Sequence, residues 1–336
     1  MYDCHYDLLT ILYFRMKNGN KYKDVNKLIK DLKAIYHKDN IKGGIINLYF
    51  MSKQEMKDEL DINEYELDVC KMLEISLNNL NILKEEEIIP YDTDFLYSIE
   101  GCDYINNLSE LEKLYEMGVR SILPVWNEEN KYGSGNRSDK GLTYEGKEFL
   151  KKAIDLGIII DVSHANEKTF FDIMDLVEEE KSLGKNPIVI ASHSNVRKLC
   201  NITRNLTDEE LIRLKEVGGY IGLLVHAGFI NKNHKNLSFK EKGESFIEHL
   251  KYVKEKIGFD DDKIMISTDN MNFNPDPDYH NLEAIHIESV NKDLRDLLSR
   301  YFDKEFIDKV MYDNVKELFD RVRYFKDKES CDRRQR

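Results

Sequence analysis

The 336-residue chain is short of the features that assign a protein quickly. Its five cysteines, Cys4, Cys70, Cys102, Cys200 and Cys331, are widely spaced and form no CxxC pair. An odd, scattered set excludes a disulfide framework and a four-cysteine zinc cluster, and reads as reduced thiols of a cytoplasmic protein. No run of about 18 apolar residues occurs, so no transmembrane helix is expected. The opening MYDCHYDLLT lacks the basic, apolar and small-residue segments of a secretory signal. Basic charge is in deficit: 50 Lys and Arg against 63 Asp and Glu leave a net charge of −13. That balance argues against the basic stripe of a nucleic-acid binder and against a polybasic membrane anchor. No GxGxxG or GxxxxGK[ST] run follows an apolar segment, which weakens a nucleotide-binding reading.

What is present is a regular alternation. A hydrophobic share of 41% and an aromatic share of 10% exclude a wholly disordered chain. The length fits two domains of about 150 residues or one large α/β barrel. Eight β-branched, apolar runs read as strands: Met1–Asp7, Ile41–Phe50, Phe95–Glu100, Val119–Val125, Ile158–Ser163, Ile188–Ser192, Tyr220–His226 and Ile264–Thr268. Between them lie amphipathic patterns at Val25–Ile35, Glu55–Leu83, Leu108–Glu116, Tyr144–Leu156, Lys168–Glu180, Asp208–Val217 and Phe239–Ile257. Apolar strands separated by helices predict a parallel sheet covered on both faces. Eight such units predict an α/β fold of the (β/α)8 TIM-barrel type over residues 1–325, with a doubly wound sheet as runner-up. Thr207 with Glu210 reads as a capping box, and Thr143 as a simple cap. Gly118, Gly157 and Gly218-Gly219 stand where helices should stop. Glu128–Gly141 and Asn270–Asn281 read as unstructured loops over the barrel mouth, and Lys326–Arg336 as a charged tail.

Polar residues end these strands: His5-Tyr6-Asp7, Glu100, Ser163-His164, Ser192-His193, His226 and Asp269. A barrel brings all such ends to one face, where barrel active sites lie. Residues i and i+2 of a strand share a side, so His5 and Asp7 can reach one ion. Glu100 has two oxygens with which to bridge a pair, and His164 with His193 would complete a second ion. This is a two-metal site of nitrogen and oxygen donors, without sulfur. Taken singly, each residue has a bland reading: a packed histidine, a solvated carboxylate, a loop-capping Asp269. His37, His234, His249, His280 and His286 fall in helix or loop contexts and read as solvated.

Several segments go further. Asp3-Cys4-His5-Tyr6-Asp7, Ile99-Glu100-Gly101 and Gly141-Leu142-Thr143 through Gly146 stand in order along the chain. They are followed by Leu156 through His164 (LGIIIDVSH), Pro187 through Asn195 (PIVIASHSN), Arg204-Asn205 and Asp313-Asn314-Val315. Together they resemble the membrane dipeptidase family, also called renal-dipeptidase-like or peptidase family M19. The resemblance implies a metallo-dependent hydrolase barrel with two zinc ions that cleaves dipeptides through a metal-bridging hydroxide. His5 and Asp7 would hold the first ion, Glu100 would bridge, and His164 and His193 would hold the second. Arg204 would grip the free carboxylate of a dipeptide, and Asp269 would protonate the leaving amine or hold the substrate amine. Family members are often dimers, so a homodimer is a possible assembly. The family's best-known members are membrane-anchored outside the cell, whereas this chain reads as a soluble cytoplasmic relative.

The sequence departs from the family pattern around the substrate. Trp126, followed by Asn127, replaces a histidine thought to contact the tetrahedral oxygen. His226 stands where the family tends to have tyrosine, and is a candidate to take over that contact. Asn270-Met271-Asn272 replaces the second aspartate and a glycine of G-S-D-F-D-G. Trp126, Asn127, Arg204 and His226 are therefore the expected substrate-binding residues, and Asp269, Glu100 and His226 the catalytic ones. Two other readings stay open: another binuclear amide, lactam or ester hydrolase, and a peptide-binding relative without turnover. A deaminase-type amidohydrolase would prefer His-x-His at the first strand, where Asp7 stands.

Overall fold

Burial on both faces explains why the eight apolar runs lack polar alternation: they are the strands of one parallel sheet. A computed structural model of the chain describes residues 1–17, 25–50, 67–269 and 290–323. The strands are β1 (Tyr2–Tyr6), β2 (Gly43–Tyr49), β3 (Asp94–Glu100), β4 (Val119–Leu123), β5 (Ile159–Asp161), β6 (Val189–Ala191), β7 (Tyr220–Leu224) and β8 (Ile264–Ser267). They pair in sequence order, every pair parallel. The ends of the sheet meet where the Asp269 N–H donates to the His5 carbonyl at 3.0 Å and the Thr268 N–H donates to Asp3 Oδ1 at 3.0 Å. The architecture is the TIM barrel that the alternation predicts.

Two apolar layers hold it. Inside the barrel, Cys4, Ile45, Leu96, Ile159, Ile190 and Met265 fill the lower part, and Leu318, Phe319 and Val322 of a helix over 314–323 plug its base. Asn314, in the last resembling segment, is structural: its Nδ2 donates to the Asp261 and Ile264 carbonyls, both at 2.7 Å, and so fixes the start of β8. A second layer lies between the strands and the surrounding helices, which include Val69–Glu85, Tyr144–Asp155, Glu167–Ser182, Asp208–Glu216 and Phe239–Lys251.

Several boundaries differ from expectation for identifiable reasons. β5 and β6 are only 3 residues each, so Ser163, His164, Ser192 and His193 lie just beyond them in tight turns. The long helical pattern begins at Val69, behind an Asp68 cap; its residues 55–66 lie outside the described residues, as do Asn270–Asn281, Lys326–Arg336, His280 and His286. Glu128–Gly141 is a built loop and not an unstructured one. Glu129 bridges to Ser134, Gly135 bridges to Ala165, and Tyr132 is buried with its hydroxyl on the Ile105 carbonyl. Its polar composition serves these internal hydrogen bonds, which hydropathy does not register.

The caps are as expected: Thr143 accepts from the Gly146 N–H, and Thr207 with Glu210 forms the full capping box. Glu210 is fully buried, and burial pushes its carboxyl up to about 7 although the Thr207 N–H and Arg197 pull the other way. An acid raised in the fold is protonated there while its unfolded counterpart has ionised, so its contribution to stability falls as pH rises from about 4.5 to about 7. Glu210→Gln keeps the capping acceptor and removes the titration. Its melting temperature should therefore decline less than that of the wild type across this window, at matched metal content; parallel curves would contradict the assignment.

Candidate metal centre

Three local devices aim the strand-end residues at one point. Cys4 belongs to the barrel interior, and its neighbour His5 would face outward under strict alternation. A register shift between Asp3 and Tyr6 in the β1–β2 pairing turns His5 back to the barrel mouth. After Glu100 the chain turns through Gly101 at φ 80°, where a Cβ would fall 2.6 Å from the Phe50 carbonyl oxygen. His164 (φ 71°) and Asp269 (φ 48°) occupy left-handed backbone, uncommon for such residues and frequent at functional sites.

The result is a buried cluster with Glu100 at its centre. His5 Nε2 lies 3.0 Å from Glu100 Oε2, and His164 Nε2 lies 3.1 Å from Glu100 Oε1. His193 Nε2 is 3.0 Å from His164 Nε2 and 3.9 Å from Glu100 Oε1. The donor atoms form two triads that share Glu100, His5–Asp7–Glu100 and Glu100–His164–His193, each within 4.8 Å. A third set, His5–His193–Asp269, satisfies the same limit, and Asp269 Oδ1 stands 3.9 Å from His5 Nε2.

Whether this cluster suits metal ions is decided by its orphaned atoms. His5 Nε2, Asp7 Oδ1 and Glu100 Oε2 are buried without a hydrogen-bond partner, the 3.0 Å approach of His5 to Glu100 being misaligned for one. Leaving such groups unpaired is expensive, and cations at the two triads would satisfy them together. The electrostatics agree. Burial pushes the Asp7 carboxyl well up, and the nearby Glu100 charge adds to this. Burial opposes the charge on His5, yet Glu100, Asp269 and Asp7 outweigh it and raise the imidazole to about 10. His164 is lowered to about 3 by burial and by Arg204, and His193 well below the usual range by burial and by His5. The cluster thus holds more negative charge than its own cations offset, and offers neutral imidazoles beside it. Nitrogen and carboxylate donors of this kind suit zinc.

Residues that the strand-end reading passes over orient the imidazoles. Asp161 Oδ1 accepts from the N–H groups of Ser163 at 3.0 Å and Ser192 at 3.1 Å, tying the turns that carry His164 and His193. Asp3 does the same across the β8–β1 seam, accepting from the Thr268 hydroxyl and from the His5 N–H at 3.2 Å. Ser192 Oγ lies 3.0 Å from His5 Nδ1 and 2.8 Å from His193 Nδ1. The hydroxyl has one proton, so Oγ receives Nδ1–H from at least one of the two rings. Asn127 Oδ1, held by the Asn136 Nδ2 at 2.7 Å, faces His164 Nδ1 at 2.8 Å and fixes the same tautomer there. His164, held neutral, then turns an Nε2 lone pair toward Glu100, as His193 and His5 would in binding a cation there. The strand-end signal marks Ser192 beside His193 but not its contact with two rings, and Asp161, inside its apolar run, is hinted at only by its place in D-V-S-H.

The other expected site residues are placed as follows. Asn127, expected at the substrate, has its carboxamide on His164. Trp126 is half-buried at the mouth, its ring 5.3 Å from Tyr49 and 5.9 Å from His164. Arg204 donates from Nη2 to the His193 carbonyl at 3.4 Å and lies over Phe229. His226 accepts the Gly228 N–H at Nδ1, 3.1 Å away, which puts its ring proton on Nε2, and it acts electrostatically on Asp269. His37 is exposed, as expected, and His234 is half-buried. His249 is not solvated but buried: Nδ1 accepts the Val196 N–H at 3.1 Å and Nε2 lies 2.9 Å from the Ile230 carbonyl, pairing two backbone groups that packing would otherwise orphan.

Ser192→Ala removes the hydroxyl that orients two imidazoles at once. Metal affinity, read by chelator competition, should fall ~10–100-fold, the usual scale for losing such a partner. Unaltered affinity would remove the hydroxyl from this role.

Comparison with known proteins bears on this site. The description "membrane dipeptidase (peptidase family M19)" matches residues 1–332. An uncharacterised protein from the PQQ-III 3′ region of Acinetobacter calcoaceticus is 31% identical over 168 residues, 47% of this chain and 50% of that protein. Dipeptidase 3 of Mus musculus is 22% identical over 342 residues, 97% of this chain and 65% of that protein. The chain spans about half the length of the first curated relatives it matches. A metallopeptidase of Rhodobacter sphaeroides, solved with a phosphinate mimic of the dipeptide L-Ala-D-Ala, shares the fold. Its TM-score is 0.71 at 20% identity, covering 96% of this chain and 98% of that one. With nearly its whole length matched, the chain belongs to the membrane dipeptidase family, peptidase family M19.

Proposed function

We propose that this chain is a dipeptidase with two zinc ions, the first held by His5, Asp7 and Glu100 and the second by Glu100, His164 and His193. One observation carries the reading: two donor triads share a buried Glu100 and contain orphaned atoms. When bound, the ions supply carbonyl polarisation and water activation at neutral pH. We further read residues 1–325 as one catalytic barrel followed by a tail over 326–336. The buried thiols of Cys4, Cys70, Cys102 and Cys200 support a cytoplasmic setting.

The protein's own groups divide the remaining work. Arg204 offers a guanidinium fork to the C-terminal carboxylate of the dipeptide. Asp269 lies beside His5 at the mouth, and burial pushes its carboxyl up. It is thereby suited to carry a proton to the leaving amine. His226 presents Nε2–H, the donor that a tetrahedral oxyanion requires. Burial pushes the Glu100 carboxyl up, but the charge on His5 and the close approach of the His164 and His5 rings outweigh it and hold Glu100 well below the usual carboxylate range. It stays ionised and is not a proton carrier.

Metal analysis of the purified protein, joined to a dipeptide panel that includes D-residues at the C-terminal position, tests the reading. About two zinc per chain and hydrolysis of at least one dipeptide are expected, with loss of activity on chelation. Absence of bound metal under zinc-replete conditions would overturn it. His226→Ala should lower kcat ~10²–10³-fold with zinc content intact, the size of losing one oxyanion donor. An unchanged kcat would leave His226 as lining only.

A further inference from the structure

We infer that Arg197 is a positioning residue for Arg204, and that it sets the affinity for substrates with a free carboxylate. The inference rests on the reading that Arg204 grips that carboxylate. Arg204 stands on the connection between β6 and the helix Asp208–Glu216. The base of this connection is pinned: Val196 bridges to Leu206, the Arg197 N–H donates to the Leu206 carbonyl at 2.8 Å, and the Leu206 N–H donates to the Asn195 carbonyl at 2.9 Å. The tip is held by a side chain. Arg197 Nε donates to the Asn205 carbonyl at 2.7 Å and Nη2 to the Thr203 carbonyl at 3.0 Å. These two carbonyls belong to the residues on either side of Arg204.

The other edge of the same guanidinium is also fixed. Nη1 pairs with Glu167, the first residue of the helix Glu167–Ser182, and Nη2 lies 3.6 Å from Glu210 in the first turn of the next helix. One planar group thus joins two rigid helix ends to both flanks of the substrate arginine. A lysine cannot reproduce this: its ammonium is a point donor without the fork geometry. Arg204 itself makes one 3.4 Å bond to the His193 carbonyl, so the placement of its long side chain depends on where the loop puts its backbone. Errors of about 1 Å in a positioning group are enough to lose substantial binding or rate. The side-chain partners of Arg197 are Glu167, Glu210 and the two loop carbonyls, none of them a cluster residue, so its loss should leave the metal site intact.

The test is kinetic, on zinc-loaded protein, with L-Ala-D-Ala and its C-terminal amide as probes. Arg197→Lys should raise KM for L-Ala-D-Ala ~10-fold, the scale of one charge-assisted hydrogen bond, with kcat within about two-fold. Its kcat/KM for the amide and its zinc content should match the wild type. Arg197→Gln, which keeps a planar donor, should show the same carboxylate-specific loss and guards against a poorly folded lysine variant. Equal losses on the dipeptide and the amide, or no loss on either, would overturn the inference. Arg204→Gln separates the two levels. If it shows the carboxylate-specific loss and Arg197→Lys does not, only the positioning role fails. If Arg204→Gln does not discriminate between the probes, the carboxylate reading fails and takes this inference with it.

Discussion

Glu100 is a fully desolvated carboxylate with an imidazole on each oxygen, and the top of the barrel is arranged around that constraint. A lone buried charge is unstable unless something of opposite sign meets it. Here His5 supplies part of the compensation, and the rings must arrive in one orientation from β1, β5 and β6 if a cation is to supply the rest. That explains why the strands end as they do. β5 and β6 stop after 3 residues so that Ser163-His164 and Ser192-His193 can turn inward, and β1 shifts register to bring His5 beside Cys4 without losing the strand.

The same constraint accounts for the second tier of acids. Asp3 and Asp161 do not join the cluster; each bonds to N–H groups at the start of the turn that carries a cluster residue. A buried carboxylate with two or more such donors acts as a rigid strap, and it fixes the neighbouring strand end more firmly than apolar contact would. Ser192 then transmits Asp161 to two imidazoles. Removing one member of such a network leaves several buried groups unpaired, so the geometry is specified collectively.

How much of this is readable in advance follows from the kind of signal each part leaves. The barrel is legible because its strands are largely buried on both faces and most of the longer described helices are amphipathic, so hydropathy changes period at those boundaries. His5, Glu100, His164 and His193 are legible because polar residues at the ends of apolar runs violate that pattern. Ser192, Asp161 and Asn127 violate nothing: a small or polar residue next to a turn is ordinary, and their roles exist only once strands far apart in sequence become neighbours. His249 fails in the opposite direction. A histidine in an amphipathic helix looks solvated, and only the fold reveals that two backbone groups, at Val196 and Ile230, need its ring. Glu128–Gly141 looks formless because its order lies in backbone and side-chain hydrogen bonds, not in apolar spacing.

Those bonds also connect the parts of the mouth. Thr203, next to Arg204, reaches Asn136 at 3.5 Å; Asn136 holds Asn127 at 2.7 Å; and Asn127 faces His164 at 2.8 Å. A polar chain therefore runs from the loop that carries Arg204, through the Glu128–Gly141 loop, to a cluster imidazole. Trp126 lies against that chain, its ring tilted 31° to His164 and the Arg137 guanidinium 6.0 Å away. An indole at this place carries no charge and excludes water, which favours a neutral His164 with its lone pair directed at Glu100. Trp126 thus makes the surroundings of His164 less polar. The aromatic and polar lining of the mouth and the donor set of the cluster are not independent features of this chain, because they meet at one imidazole.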